Sequence, residues 1–247
     1  MSPLVVRCGS GPVRRRSSSA TSRRPLTCLE EFAGPADVDL LLFPECFLQG
    51  YLVDREHLRR YALDLGSAAF ASILRRLEPI AATLVFGVIE RRGDRYRNAA
   101  VVVARGVLVG VYRKTCLLPG ESLFERGDAY PVFEANGVRF GVNICHDTRY
   151  AEPAARVAAQ GARLLLVPAQ NMMRRATAHH WKERHHAIRA ERTRETGLWL
   201  VSADVTGERD EHRVAYGPTS VMNPRGEVVA QVPLMTTGMV VADLDPQ

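Results

Sequence analysis

From Asp39 onward the chain alternates short apolar runs with stretches of helical periodicity. That alternation restricts it to sheets covered by helices. Runs with strand character cover 39–44, 83–89, 98–104, 107–112, 138–144, 163–168, 198–203, 218–222, 227–232 and 239–243. Helical patterns cover 55–63, 67–81, 153–160 and 178–196. With 247 residues the chain can bury one sizeable core, and a single domain is expected. Segment 1–38 fits the pattern poorly. Residues 3–6 can form a first strand and 26–32 keep a helical period, but Arg14-Arg15-Arg16-Ser17-Ser18-Ser19 lies between them. The expected organisation is therefore an irregular, Arg/Ser-rich 1–38 followed by the main unit, 39–247. An acid-free Arg/Ser stretch has the composition of a transit peptide. A disordered tail or a misassigned start is the preferred reading.

Charge excludes one class of function. The net charge of +6 is matched by six arginines within 1–29, where no acidic residue occurs, and the rest of the chain is balanced. Without a distributed basic face, no nucleic-acid partner is expected. No apolar run approaches the roughly 20 residues that span a bilayer, so no membrane partner is expected either. The five cysteines, at 8, 28, 46, 116 and 145, are odd in number and lack CxxC spacing. They argue against a disulfide scaffold and for a reducing, cytoplasmic setting.

Three of the apolar runs end in residues able to do chemistry. The run 138–144 leads into Cys145, and a helix follows with Glu152 and Pro153 in its first turn. A thiol on such a turn is held on rigid backbone near N–H groups that favour a thiolate. The run at 41–43 ends in Pro44-Glu45, and a carboxylate at the end of a buried strand is costly unless paired or used. The run 107–112 ends in Arg113-Lys114. Lysine is rare here: against many arginines, only Lys114 and Lys182 occur, which marks Lys114 as chosen for its ammonium.

In these residues the sequence resembles the nitrilase superfamily of carbon–nitrogen hydrolases, from about Asp39 to Asp245. Phe43-Pro44-Glu45 with Gly50-Tyr51 is similar to the family's glutamate motif. Tyr112-Arg113-Lys114 with Pro119, Glu121 and Phe124 to Asp128 is similar to its lysine motif. Asn143-Ile144-Cys145-His146-Asp147 with Arg149, Tyr150 and Glu152 is similar to its cysteine motif. The resemblance implies an α/β fold, a four-layer α-β-β-α sandwich. It implies Cys145 as nucleophile, Glu45 as base and Lys114 as oxyanion stabiliser, with the His146 backbone N–H as second donor. Glu121 matches a second glutamate that orients lysine and substrate; its alternative is a solvated loop carboxylate. Arg149 either binds a substrate carboxylate or pairs with Asp147 or Glu152, and pairing is preferred. Cys46 and Cys116 adjoin Glu45 and Lys114 and are read as packing residues; the family often has histidine in place of Cys116.

The expected activity is cofactor-free hydrolysis of a small linear amide or N-carbamoyl compound. A nitrilase is the nearest alternative, although such enzymes usually carry Trp-Glu after the cysteine, where this chain has His146-Asp147. A non-catalytic binding or assembly relative is a further alternative. Assembly as a homo-oligomer, a dimer or larger, is expected. No metal is expected. His179, Glu183 and His186 share one face of the 178–196 helical pattern, but Arg174, Arg175, Lys182 and Arg184 surround them, so a solvated face or subunit contact is the preferred reading. The Arg-Gly-Asp triplets at 92–94 and 126–128 and the Gly9-Ser10-Gly11 loop carry no function by themselves.

Overall fold

The strand at Leu40–Leu42 sends Leu40 and Leu42 to one buried face and Leu41 to another, as a two-residue side-chain period requires. Strands buried on both faces need cover on both, and the whole architecture follows that rule. The computed structural model describes residues 3–8, 23–33 and 38–244. Gly9-Ser10-Gly11 and Arg14 to Ser19 lie outside the described residues.

The first half comprises β1 (Pro3–Cys8), α1 (Arg23–Ala33), β2 (Leu40–Leu42), α2 (Arg55–Tyr61), α3 (Ala68–Leu77), β3 (Thr83–Arg92), β4 (Arg95–Ala104) and β5 (Val107–Arg113). There follow β6 (Val132–Ala135), β7 (Val138–Val142), α4 (Ala151–Ala159), β8 (Leu164–Pro168), β9 (Met173–Arg174), α5 (Arg175–Trp181) and α6 (Arg184–Thr196). The chain closes with β10 (Trp199–Ala203), β11 (Thr206–Glu208), β12 (Arg213–Tyr216), β13 (Ser220–Met222), β14 (Val228–Gln231) and β15 (Gly238–Asp243). One six-stranded sheet has the order β15-β1-β2-β3-β4-β5, and a second has β14-β13-β10-β8-β7-β6. A small third sheet, β11-β12-β9, lies apart from both in its pairing.

Side-chain alternation turns the two large sheets into four layers. Leu40, Leu42, Val85, Ala100 and Val102 of the first sheet meet Phe140, Val142, Leu164, Leu166 and Val201 of the second in one core. The outward residues Leu41, Phe86 and Val101 pack under Leu26 and Leu29 of α1 and Phe70 and Leu77 of α3. Leu165, Val167 and Leu200 pack under Ala154 and Val157 of α4 and Ala190 of α6. The order is helix, sheet, sheet, helix. Helix starts are set by side-chain caps: Asp54 accepts the His57 N–H at 2.8 Å, and Ser67 accepts that of Phe70 at 3.2 Å.

All ten strand expectations correspond to strands, while β6, β9, β11 and β12 escaped the sequence reading because each is short and shows no apolar run. The pattern at 178–196 is not one helix. It divides after Trp181 into α5 and α6, and the two helices pack on different partners, α5 beside β12 and α6 over β10 and α4. Among the described residues no group of three or more His, Cys, Asp or Glu side chains is placed to hold a metal ion. Nor is any described helix long and apolar enough to cross a membrane.

Candidate active site

Three strand ends converge. Glu45 follows β2, Lys114 follows β5, and Cys145 follows β7 at the head of a 3-10 turn, Cys145–Arg149. Gly87 on β3 lets the Glu45 loop approach, because a Cβ there would stand 2.2 Å from the Cys46 nitrogen. Lys114 Nζ donates to Glu45 Oε1 at 2.8 Å and to Glu121 Oε1 at 3.0 Å, and all three side chains are buried. Asn98 Nδ2 donates to the same two oxygens, at 2.6 and 3.2 Å. The second Glu121 oxygen accepts the Leu118 N–H at 2.8 Å. Glu121 is therefore no solvated loop acid.

Two carboxylates and one ammonium in a dry site leave a surplus negative charge, which such an environment resists. Burial raises the Glu45 pKa above the ordinary carboxylate value, against the pull of Lys114 and with the help of Glu121. Burial alone would lower Lys114, but Glu45, Cys145 and Glu121 outweigh it and hold the ammonium well above its usual range. Lys114 stays charged.

Cys145 adopts φ +45°, in the left-handed region that a side chain rarely occupies. Such backbone strain costs about 1–3 kcal/mol and clusters at functional sites. Burial first, and then the charge of Glu45, push its thiol well above the ordinary cysteine value despite Lys114. Burial thus opposes the thiolate that the turn alone would favour. Its sulfur contacts Asn171 Oδ1 at 3.7 Å. The His146 ring takes no part in that contact; it lies edge-on to Tyr150 at 5.6 Å. Burial, Lys114 and Arg149 lower its pKa and keep it neutral.

Arg149 corrects another expectation. It pairs with neither Asp147 nor Glu152: its guanidinium sits over the Trp181 ring at 5.0 Å, and Glu152 binds Arg156. Asp147 is committed elsewhere. Its buried carboxylate accepts from Tyr112 Oη, the Thr115 N–H and Oγ1, the Cys116 N–H and the Ile144 N–H, at 2.7 to 3.2 Å. Sequence reasoning missed this role, and it missed Asn98 and Asn171. A polar residue heading the apolar run Asn98-Ala99-Ala100-Val101 was the available signal for Asn98. Cys46 is wholly buried against Asn98 Oδ1, and Cys116 is half-buried beside Thr115.

The fold is a two-sheet α/β sandwich, with Cys145 on a strained strand-to-helix turn and a buried Glu45–Lys114 pair at neighbouring strand ends. The chain belongs to the carbon–nitrogen hydrolase family, whose model matches residues 15–247. It is 31% identical over 207 residues to an (R)-stereoselective amidase from Pseudomonas sp., spanning 83% of this chain and 72% of that protein. It is 28% identical over 204 residues to omega-amidase NIT2 of Homo sapiens, spanning 78% and 71%. Its fold is similar to that of an amidase from Nesterenkonia sp. AN1 solved with acrylamide added at its active-site cysteine. That match has a TM-score of 0.80 and 22% identity, and covers 99% of this chain and 94% of the other.

Proposed function

We propose that Cys145, Glu45 and Lys114 hydrolyse the carbon–nitrogen bond of a small linear amide or N-carbamoyl compound and release ammonia. The observation that carries this reading is the Lys114 ammonium, held at 2.8 and 3.0 Å by two buried carboxylates beside the Cys145 turn. Burying such a cluster is expensive and is rarely justified by stability alone. In the first step the Cys145 thiol gives its proton to Glu45 as sulfur attacks the carbonyl carbon. The oxyanion is stabilised by Lys114 and by the backbone N–H of His146, which belongs to the first turn of the 3-10 segment Cys145–Arg149, where N–H groups lack partners within the turn. Glu45 then passes the proton to the departing nitrogen. Water, activated by Glu45, cleaves the acyl-enzyme and restores the thiol.

His146-Asp147 supports amide over nitrile. Both Asp147 oxygens are held by donors from Tyr112, Thr115, Cys116 and Ile144, so the side chain is not free to turn toward a thioimidate nitrogen. The test is turnover of a matched amide and nitrile with the same side chain, scored by ammonia release, in wild type and Cys145→Ala. Amide turnover that disappears in Cys145→Ala supports the reading. Turnover retained by that variant, or a nitrile favoured tenfold (about 1.4 kcal/mol of transition-state preference), overturns it.

A further inference from the structure

A second buried polar network reaches Cys145, and the hydrolysis described above does not use it. Asn171, in the loop after β8, is only 4% exposed and accepts the Cys145 thiol at Oδ1. Asp204, wholly buried after β10, accepts the Asn171 backbone N–H at 3.0 Å on Oδ1 and the Asn171 side-chain N–H on Oδ2. The Val205 N–H donates to Asp204 as well, at 2.9 Å. Arg189 of α6 lies 3.4 Å from Asp204 Oδ2 and is itself tied to Ser202 Oγ and the Pro218 carbonyl, at 3.0 and 2.9 Å. Gly217 makes room, since a Cβ there would sit 2.1 Å from Asp204 Cγ.

This network does one thing. An amide side chain has a donor end and an acceptor end, and a carboxylate surrounded by donors can only accept. Asp204 therefore takes the NH2 end of Asn171 and forces Oδ1 toward Cys145. The buried Arg189–Asp204 pair, costly in itself, fixes that orientation and keeps a lone acceptor pointed at the reacting sulfur.

We infer that Asn171 is a specificity-determining residue that accepts an N–H of the substrate's scissile amide, so that the site selects leaving groups bearing N–H over isosteric esters. The inference rests on the proposed amide hydrolysis. At rest the thiol occupies Oδ1. A substrate N–H displaces it, and the freed S–H proton passes to Glu45 as the S–C bond forms and the carbonyl electron pair moves to oxygen. The C–N bond then breaks, its electron pair stays with nitrogen, and Glu45 returns the proton there. An ester sets an oxygen lone pair against Oδ1. Two acceptors then face each other with no proton between them, and the binding is lost.

The test is kcat/KM for a primary amide and the methyl ester of the same acyl group, in wild type, Asn171→Ala and Asn171→Ser. In both variants amide kcat/KM should fall about tenfold or more, the effect of one hydrogen bond at the reacting group. The ester should change by less than about threefold, so the amide-to-ester ratio collapses. Because the ratio is read within one preparation, partial misfolding cancels, and the serine variant serves where alanine fails to fold. A parallel fall on both substrates would make Asn171 a mere support and overturn the inference, as would unchanged amide turnover. A wild type that hydrolyses only the ester would instead defeat the amide-hydrolase reading itself.

Discussion

Asp147 Oδ1 accepts the backbone N–H of Cys116 at 2.7 Å, which ties the loop after Lys114 to the turn that carries Cys145. The same oxygen takes both donors of Thr115, while Oδ2 takes Tyr112 and Ile144. Lys114 and Cys145 come from different sheets, and this carboxylate joins the two.

Asp147→Asn should be severely disruptive although it is isosteric. Every partner of the carboxylate is a donor, so an NH2 group would face N–H or O–H groups and leave at least one buried donor unmet, at about 1–3 kcal/mol. Urea unfolding should show that loss, and amide kcat should fall with it as Lys114 and Cys145 lose register. A variant with wild-type stability and kcat would refute the clamp.

Glu45→Gln should abolish most turnover while stabilising the fold at neutral pH. The Glu45 carboxyl is raised in the folded protein, mainly by burial, so the folded state binds more protons than the unfolded one above pH 4.5. Its contribution to stability is present below that value and is lost as pH rises through the folded pKa. The variant should therefore melt higher than wild type at about pH 7–8, with the gap closing toward pH 4.5. A variant less stable than wild type at neutral pH would contradict the surplus-charge account.

Lys114→Met should cost about 3–5 kcal/mol, because removing one partner leaves Glu45 and Glu121 buried without their cation. Its loss of kcat should not add to that of Cys145→Ala, since the groups act as a unit. Chemical denaturation measures the first quantity, and steady-state kinetics of the single and double variants the second. A cost below about 1 kcal/mol would place the lysine in solvent-like surroundings.

Alkylation of Cys145 should be slow at neutral pH and still rising at pH 9, the ordinary cysteine value, because burial and Glu45 hold the thiol protonated. Amide kcat/KM needs the neutral thiol with ionised Glu45, so its acid limb should lie above pH 4.5 and its plateau should extend into the alkaline range. Peptide mapping after iodoacetamide treatment across pH gives the first quantity. A Cys145 rate that levels off below pH 7 would restore a resting thiolate and with it a different activation step.

The apolar runs by themselves determined the long strands of the two large sheets, and the residues at three strand ends determined where Glu45, Lys114 and Cys145 stand. Both are local matters: side chains alternate along a strand, and a charge ending an apolar run is visible without knowing its neighbours. The order of the motifs carried the family as well. Partnership was decided only in three dimensions. Glu45 meets Asn98 across 53 positions and Lys114 across 69; the one local signal at 98–104, a polar residue heading an apolar run, does not name the two carboxylates that Asn98 bonds. The same holds for Asp204, which aims Asn171 from another strand end, and for Arg149, whose charge settled over Trp181 instead of a nearby acid. The division of 178–196 into α5 and α6, each with its own packing partners, was likewise not visible in a stretch that reads as one continuous helical pattern. A buried polar group is stable only where its partners arrive, and those partners are brought by the sheets.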